Sequence, residues 1–295
     1  MNEQLEKVLK EKLHKDIRNF ELKSKSSNQL FSFEVDNNQL VLKTPNLELS
    51  NLSPFWKQLR NIFGSDFITQ TNNVTSLVKY LNRNPYIKVP EVFYSETEEK
   101  VFQVFQRIEG RDYEPDEFPS NEELNYQLGQ YIGWMHSHRF NGYGIYSYNL
   151  RLKSSTQFLE DVLASMESII KEHWSTNEEV RNYFDNIESV MPKEIGSFGL
   201  IMADISANQF VYSNDFKRIN SVVDIDAYVI GPINLELTVL EMCFTNCSSF
   251  KKGYEEYCKL PNFNSFRAFY RFLIYLNDPY GPPALEDFLN SNILF

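Results

Sequence analysis

Gly199-Leu-Ile-Met-Ala-Asp-Ile-Ser-Ala-Asn-Gln-Phe-Val-Tyr212, followed shortly by Val222-Val-Asp-Ile-Asp226, is the stretch from which the rest of the chain can be read. An apolar run ends on a single acid, Asp204, and small and amide side chains follow it. A short apolar strand, a polar turn at Ser213-Asn-Asp-Phe-Lys-Arg218 and a second strand then deliver Asp224 and Asp226. Carboxylates are thus expected at the ends of neighbouring backbone segments, with Asn208 and Gln209 between them. Phosphoryl transfer uses such a set: one carboxylate orients and accepts from an attacking hydroxyl, while others, with an amide oxygen, hold Mg²⁺ on the phosphates. Taken singly, each acid also reads as an ordinary turn residue of a hairpin.

The whole chain sets bounds on that reading. Its 295 residues suffice for two lobes and a large core, and 42% hydrophobic with 23% charged residues is ordinary for a globular protein. No apolar run approaches the length of a membrane span. The start, Met1-Asn-Glu-Gln-Leu-Glu-Lys-Val-Leu-Lys10, reads as a polar helix without the apolar segment of a signal peptide. Cys243, Cys247 and Cys258 read as free thiols, so a cytoplasmic protein is expected. Charge is uneven: residues 1–108 carry 15 Lys/Arg and 13 Asp/Glu, whereas residues 109–295 carry 14 and 27. The halves therefore hold net +2 and −13, which return the overall −11. A strongly acidic half repels phosphate backbones and argues against nucleic acid as a partner. It would draw cationic small molecules, unless the charge serves solubility alone.

Along the chain the hydrophobic period changes several times. Leu5, Val8, Leu9, Leu13 and Ile17 predict a helix over 2–19. Leu30 to Val35 and Leu40 to Leu42 flank Asp36-Asn-Asn38, a hairpin signal, and Lys43 closes the second strand. The turn before them, Ser24-Lys-Ser-Ser-Asn28, lacks glycine but is rich in groups that can meet phosphates, with Ser26, Ser27 and Asn28 as candidates. Helices are predicted over 54–63 and 71–82, and strands over 89–94 and 101–108. Glu109-Gly110, Pro115, Pro119 and a cluster of acids mark a boundary, giving lobes at 1–108 and 109–295. The second is predicted mainly helical, over roughly 121–138, 155–173, 177–190, 233–247, 250–258 and 264–276, interrupted by the acid-bearing hairpin.

This order resembles the aminoglycoside phosphotransferase family, a branch of the protein-kinase-like fold that includes choline and other small-molecule kinases. The resemblance spans about residues 20–280. The family's loop, His-Gly-Asp-Leu-Ser-Pro-Asn-Asn, stands here as Met202-Ala-Asp-Ile-Ser-Ala-Asn-Gln209, with Phe210-Val211 as the apolar pair that follows. Its metal strand, Val-Ile-Asp-Phe-Asp with a later Gly-Pro, stands as Val222-Val-Asp-Ile-Asp226 and Gly231-Pro232. Gly129-Gln-Tyr-Ile-Gly-Trp-Met-His136 looks like its helix ending in Leu-His, and Val104-Phe-Gln-Arg-Ile-Glu-Gly110 like its nucleotide-binding hinge, with Phe105 and Arg107 as candidates.

The resemblance implies an α+β, two-lobe fold with an antiparallel sheet in the smaller N-lobe and a larger helical C-lobe. It implies Asp204 as catalytic base, Asp224 with Gln209 or Asn208 on Mg²⁺, and Lys43 on the phosphates of ATP or GTP. Three departures stand out: the loop histidine is Met202, Gln209 replaces the metal-binding Asn, and the helix acid that pairs with the strand Lys is absent near Val74. Glu236 stands for a helix Asp. Two readings follow: an O-phosphotransferase for a small hydroxylated, amine-bearing acceptor, or a kinase-like binding or regulatory protein with little turnover. A metal-dependent hydrolase built from Asp204, Asp224 and Asp226 is a third. Asp226, Glu236, Glu241, Glu255, Glu256 and Asp278 are candidate acids for steering a cationic or polyhydroxyl acceptor; Tyr254, Tyr257, Phe269, Tyr270, Phe272 and Tyr275 read mostly as helix core.

Overall fold

The computed structural model describes residues 2–25, 28–115, 117–262, 264–291 and 293–295. Helix α1 (Asn2–Leu13) leads into strands β1 (Arg18–Lys25), β2 (Asn28–Val35) and β3 (Asn38–Pro45). Helices α2 (Leu47–Leu52), α3 (Pro54–Phe63) and α4 (Phe67–Leu81) follow, then β4 (Val92–Glu96) and β5 (Phe102–Gln106). These strands form one antiparallel sheet in the order β1-β2-β3-β5-β4. Asp36 and Asn37, both in the left-handed region at φ 50° and 66°, make the two-residue turn between β2 and β3. Asn and Asp tolerate that conformation better than other side chains, which is why the hairpin signal reads correctly.

The first helix is shorter than its spacing predicts. His14 at φ 52° ends it, and Arg18–Lys25 is a strand rather than a helix end and turn. That strand lies at the sheet edge with its side chains largely exposed, so it lacks the alternating burial by which strands are recognised. Leu5 and Leu9 of α1 pack with Phe31, Phe33, Leu42, Phe102 and Val104 in a core of their own. Each such side chain contributes about 1.5–3 kcal/mol when fully covered.

The second lobe comprises α5 (Glu122–Ser137), β6 (Gly142–Ile145), β7 (Lys153–Ser154), α6 (Phe158–His173), α7 (Glu178–Asp185), β8 (Phe198–Met202), β9 (Phe210–Tyr212), β10 (Ile219–Val222), β11 (Tyr228–Pro232), α8 (Ile233–Met242), α9 (Ser248–Tyr254), α10 (Asn264–Tyr275) and α11 (Leu285–Leu289). Strands β7-β6-β11-β8 form a second sheet, and β9 and β10 form a hairpin. The larger core runs from α3 and α4 through α5, α6, β8, β11 and α8 to α10, so α3 and α4 share their packing with the C-terminal half. Asp66 and Thr69 cap α4 reciprocally, and Ser53 with Pro54 starts α3. Among the described residues no helix is long and apolar enough to cross a membrane.

The halves are laced beside the connecting segment. Arg111 and Tyr212 exchange backbone hydrogen bonds at 2.8 and 3.0 Å, and Ser221 Oγ donates to Lys88 O at 2.8 Å. Gly110 is required there: at φ 156°, a Cβ would fall 2.5 Å from Tyr212 O.

Candidate functional site

The two acid-bearing loops lie side by side: one follows β8, and the other joins β10 to β11. Ala203 N–H donates to Ala227 O at 2.9 Å, and Val223 N–H donates to Gln209 O at 2.9 Å. Each bond lies one residue before an acid, so the backbone brings Asp204 and Asp224 to one place before any side chain acts. Asn28, Trp56, Asp204, Gln209, Asp224 and Asp226 line a cavity of about 50 Å³ at that point. A much larger, open groove of about 750 Å³ lies between α6 and α7 and holds none of the expected residues.

Lys43 crosses from the first sheet into this site. Its Nζ stands 2.7 Å from Asp224 Oδ1 and 2.6 Å from Asp226 Oδ2, and its side chain is 8% exposed. Burial alone would lower the Lys43 pKa; the charges of Asp224 and Asp226 overcome it and hold the ammonium above its usual range. Two carboxyl groups share one ammonium in a partly dry site, and burial, with Asp224 beside it, pushes the Asp226 carboxyl above its usual range against the pull of Lys43. Beside it, Gln209 Oε1 and Asn28 Oδ1 are buried without a hydrogen-bond partner. An orphan amide oxygen next to a half-exposed carboxylate is the donor chemistry a hard divalent cation requires. Asp224 and Gln209 therefore fit Mg²⁺.

Met202 leaves the loop without the side-chain hydrogen bond that a histidine would make, but another device holds it. Met202 N–H donates to Glu236 Oε1 at 2.9 Å, while Glu236 Oε2 meets His136 Nε2 at 2.5 Å. His136 Nδ1 in turn lies 3.0 Å from the Tyr254 hydroxyl. Glu236 and His136 are fully buried. Further along, Tyr212 Oη donates to Ala207 O at 2.9 Å. The loop that carries Asp204 is thus pinned through its backbone.

No protein-family profile matches the sequence, and no curated protein does. Solved structures do match along nearly the whole chain. The macrolide 2′-phosphotransferase MphH from Brachybacterium faecium superposes with TM-score 0.59 at 12% identity, covering 99% of this chain and 98% of its own. The fold is that of the aminoglycoside phosphotransferases and related small-molecule kinases. The GDP complex of aminoglycoside 2′-phosphotransferase-IIIa gives TM-score 0.61 at 12% identity, covering 97% and 91%. Spectinomycin phosphotransferase in complex with ADP and spectinomycin gives 0.58 at 12%, covering 94% and 85%. The α+β, two-lobe, protein-kinase-like architecture expected from the sequence is therefore the one observed.

The structure brings together Lys43, Asn28, Asp204, Gln209, Asp224 and Asp226. Asn208 is exposed and accepts from Ser206 Oγ at 2.8 Å, so of the two amides it is Gln209 that lines the cavity. Ser26 and Ser27 lie outside the described residues. Phe105 is buried in the larger core, and Arg107 commits its N–H to Gln39 O at 3.0 Å; neither lines this cavity. Two candidate acids are corrected. Glu236 anchors the loop as described, and Glu241, buried beneath α10, accepts from Arg267 Nε at 2.9 Å and an Arg271 guanidinium nitrogen at 2.7 Å, so neither faces an acceptor. The aromatic residues Tyr254, Phe269, Tyr270, Phe272 and Tyr275 are core, as expected. Among the described residues no three His, Cys, Asp or Glu side chains gather as a metal cluster, and Lys43 stands between Asp224 and Asp226. Lys43 between the two acids counts against the three-acid hydrolase reading. Trp56 lines the cavity from the buried face of α3, where nothing in the local pattern separates it from core.

Proposed function

We propose that the chain is an ATP- or GTP-dependent O-phosphotransferase for a small, hydroxylated, amine-bearing acceptor. The observation that supports it is the pairing of Lys43, from the first sheet, with Asp224 and Asp226, beside the cavity that Asp204 and Gln209 also line. In this reading residues 1–108 hold the nucleotide and residues 109–295 supply the catalytic loop and the acceptor site. Asp204, exposed at the cavity, orients the acceptor hydroxyl and takes its proton. Lys43 pairs with phosphate oxygens. Asp224 and Gln209 would hold Mg²⁺, which supplies charge neutralisation on the phosphates. Ser26, Ser27 and Asn28 border the phosphates, and the segment with Phe105 and Arg107 borders the base. The net −13 of residues 109–295 favours a cationic acceptor. Neither nucleic acid nor a membrane has a part in this reading, and the compartment is the cytoplasm.

A site for a drug-sized ligand usually measures several hundred Å³, so nucleotide entry requires this small cavity to open. The small cavity is also the observation that favours the second reading, a kinase-like binding or regulatory protein with little turnover. Thermal-shift titration with MgATP, MgGTP and Mg²⁺ alone, followed by a screen of amino sugars and amino alcohols for phosphate transfer, separates the two. Asp204→Asn should abolish transfer and leave nucleotide affinity and melting temperature nearly intact. Transfer by Asp204→Asn at the wild-type rate refutes the base. Equal binding with and without Mg²⁺, with no transfer to any acceptor, favours the second reading.

A further inference from the structure

Lys43 lies in a place where a long, flexible cation needs a fixed partner. Free in its cleft, a lysine side chain samples many rotamers, with about 2 kcal/mol of entropy to lose on being held. Helix α4 packs against the first sheet at this point and carries no Asp or Glu between Phe67 and Leu81. Its inward polar groups are engaged elsewhere: Gln70 Nε2 donates to Ser65 Oγ at 2.6 Å and to Tyr228 O at 3.1 Å. Thr71 Oγ1 accepts from Gln103 Nε2 at 3.0 Å, and Gln103 is the cross-strand neighbour of Lys43. The helix therefore offers Lys43 no charge.

The two acids that do reach Lys43 differ in a way that divides their work. Asp224 has a side chain 41% exposed and open to the cavity that Gln209 Oε1 shares. Asp226 has a side chain 5% exposed, and its Oδ2 also accepts from Asn28 Nδ2 at 3.2 Å. Asp224 Oδ1 also accepts from Asp226 N–H, at a longer 3.4 Å, but it opens on the cavity and can be exchanged for a ligand, whereas Asp226 is held by burial and by Asn28.

We infer that Asp226 is the positioning residue for Lys43: it keeps the ammonium aimed at the phosphates while Asp224 releases it. This rests on the phosphotransferase reading above. It assigns Asp226 a part distinct from holding metal, and it places the partner of Lys43 on the second lobe rather than on the first. An acid on α4 would hold Lys43 within its own lobe. Asp226 instead ties it to the segment whose Ala227 O is bonded to Ala203 N–H, next to Asp204.

Two arms on the full chain test this. In the first, without nucleotide, acetylation of Lys43 by a small amine-reactive reagent is followed by peptide mass spectrometry. Asp226→Asn should speed it about tenfold, the scale of one lost charge-assisted contact; Asp224→Asn, which leaves Asp226 in place, should change it much less. In the second, MgATP and MgGTP affinities are measured by calorimetry for Lys43→Met, Asp226→Asn and the double variant. If Asp226 acts through Lys43, the double variant binds no worse than Lys43→Met alone. Thr71→Glu, which puts a carboxylate beside Gln103, should restore part of the affinity lost in Asp226→Asn.

Unchanged acetylation in Asp226→Asn, or additive losses in the cycle, overturns the inference. A wild type that binds neither nucleotide refutes the phosphotransferase reading instead, and the acetylation arm still decides whether Asp226 holds Lys43. Should Asp226→Asn fail to fold, Asp226→Glu takes its place. The longer stem should misplace the ammonium and raise acetylation, and no change counts against the inference.

Discussion

Replacing Glu236 by Ala probes how the Asp204 loop is held. The carboxylate is fully buried, and it accepts from Met202 N–H at 2.9 Å and meets His136 Nε2 at 2.5 Å. Its removal leaves a backbone N–H and a ring nitrogen without partners in a dry site. Each of the two orphaned groups costs about 1–3 kcal/mol, and the cavity adds roughly another 1 kcal/mol, for a loss of about 3–7 kcal/mol. In a chain of this length that lowers the melting midpoint by roughly 5–11 °C. Glu236→Gln keeps an oxygen for Met202 and puts an N–H toward the ring, so it should cost only about 1–2 kcal/mol. Scanning calorimetry with urea unfolding measures both. At a temperature well below either midpoint, the Ala variant should lose more turnover than nucleotide affinity, because the loop has slackened around Asp204. An Ala variant within about 1 kcal/mol of wild type, or a Gln variant as damaged as Ala, refutes the anchoring role.

Three further outcomes are expected. The Glu96 pKa is lowered from 4.5 to about 2 by the Glu98 backbone N–H and by Lys12, with the Tyr94 hydroxyl and Thr97 N–H adding to them. A depressed carboxyl stabilises the fold above its unfolded value and loses that contribution as pH falls from 4.5 toward 2, so Glu96→Gln should flatten acid unfolding across that window. Gly253→Ala should destabilise by about 1–3 kcal/mol or more, since its Cβ would run into the Tyr126 carbonyl oxygen of α5, a backbone atom that cannot turn aside; a neutral result by urea unfolding counts against the close helix contact. Gln209→Leu should weaken Mg²⁺-nucleotide binding roughly tenfold and leave Mg²⁺-free binding unchanged, as calorimetry with and without chelator would show.

How much of this could be read in advance depended on where each partner sat along the chain. Asp204 and Asp224 belong to one hairpin, so local pattern and turn chemistry sufficed to bring them together. Lys43 lies 181 residues from Asp224, and only the strand pattern with a family resemblance pointed to it. The missing acid on α4 was visible in its sequence, but its replacement by Asp226 was not, because no spacing relates residues 43 and 226. Glu236 and Glu241 read as candidate surface acids because their partners, His136, Arg267 and Arg271, come from other elements. A signal was present nonetheless: both sit in α8, Ile-Asn-Leu-Glu-Leu-Thr-Val-Leu-Glu-Met, whose length is nearly all apolar or buried. Acids in such a helix must be paired inside. The edge strand β1 was lost because a solvent-facing strand carries little hydrophobic pattern.

Helices α5 and α9 meet through glycine. A Cβ on Gly133 would fall 2.6 Å from Tyr254 O, and Gly129 and Gly253 face backbone of the opposite helix in the same way. Where two main chains touch, no side chain can flex to absorb a change of spacing, so the seam acts as a fixed datum. Tyr254 stands on one side of it and His136 on the other, joined hydroxyl to ring. From there the chain of contacts runs through Glu236 to the amide of Met202, two residues before Asp204. The reach of Asp204 is thereby gauged against a surface on the far side of α5, and widening that seam by one methyl group would move the gauge itself.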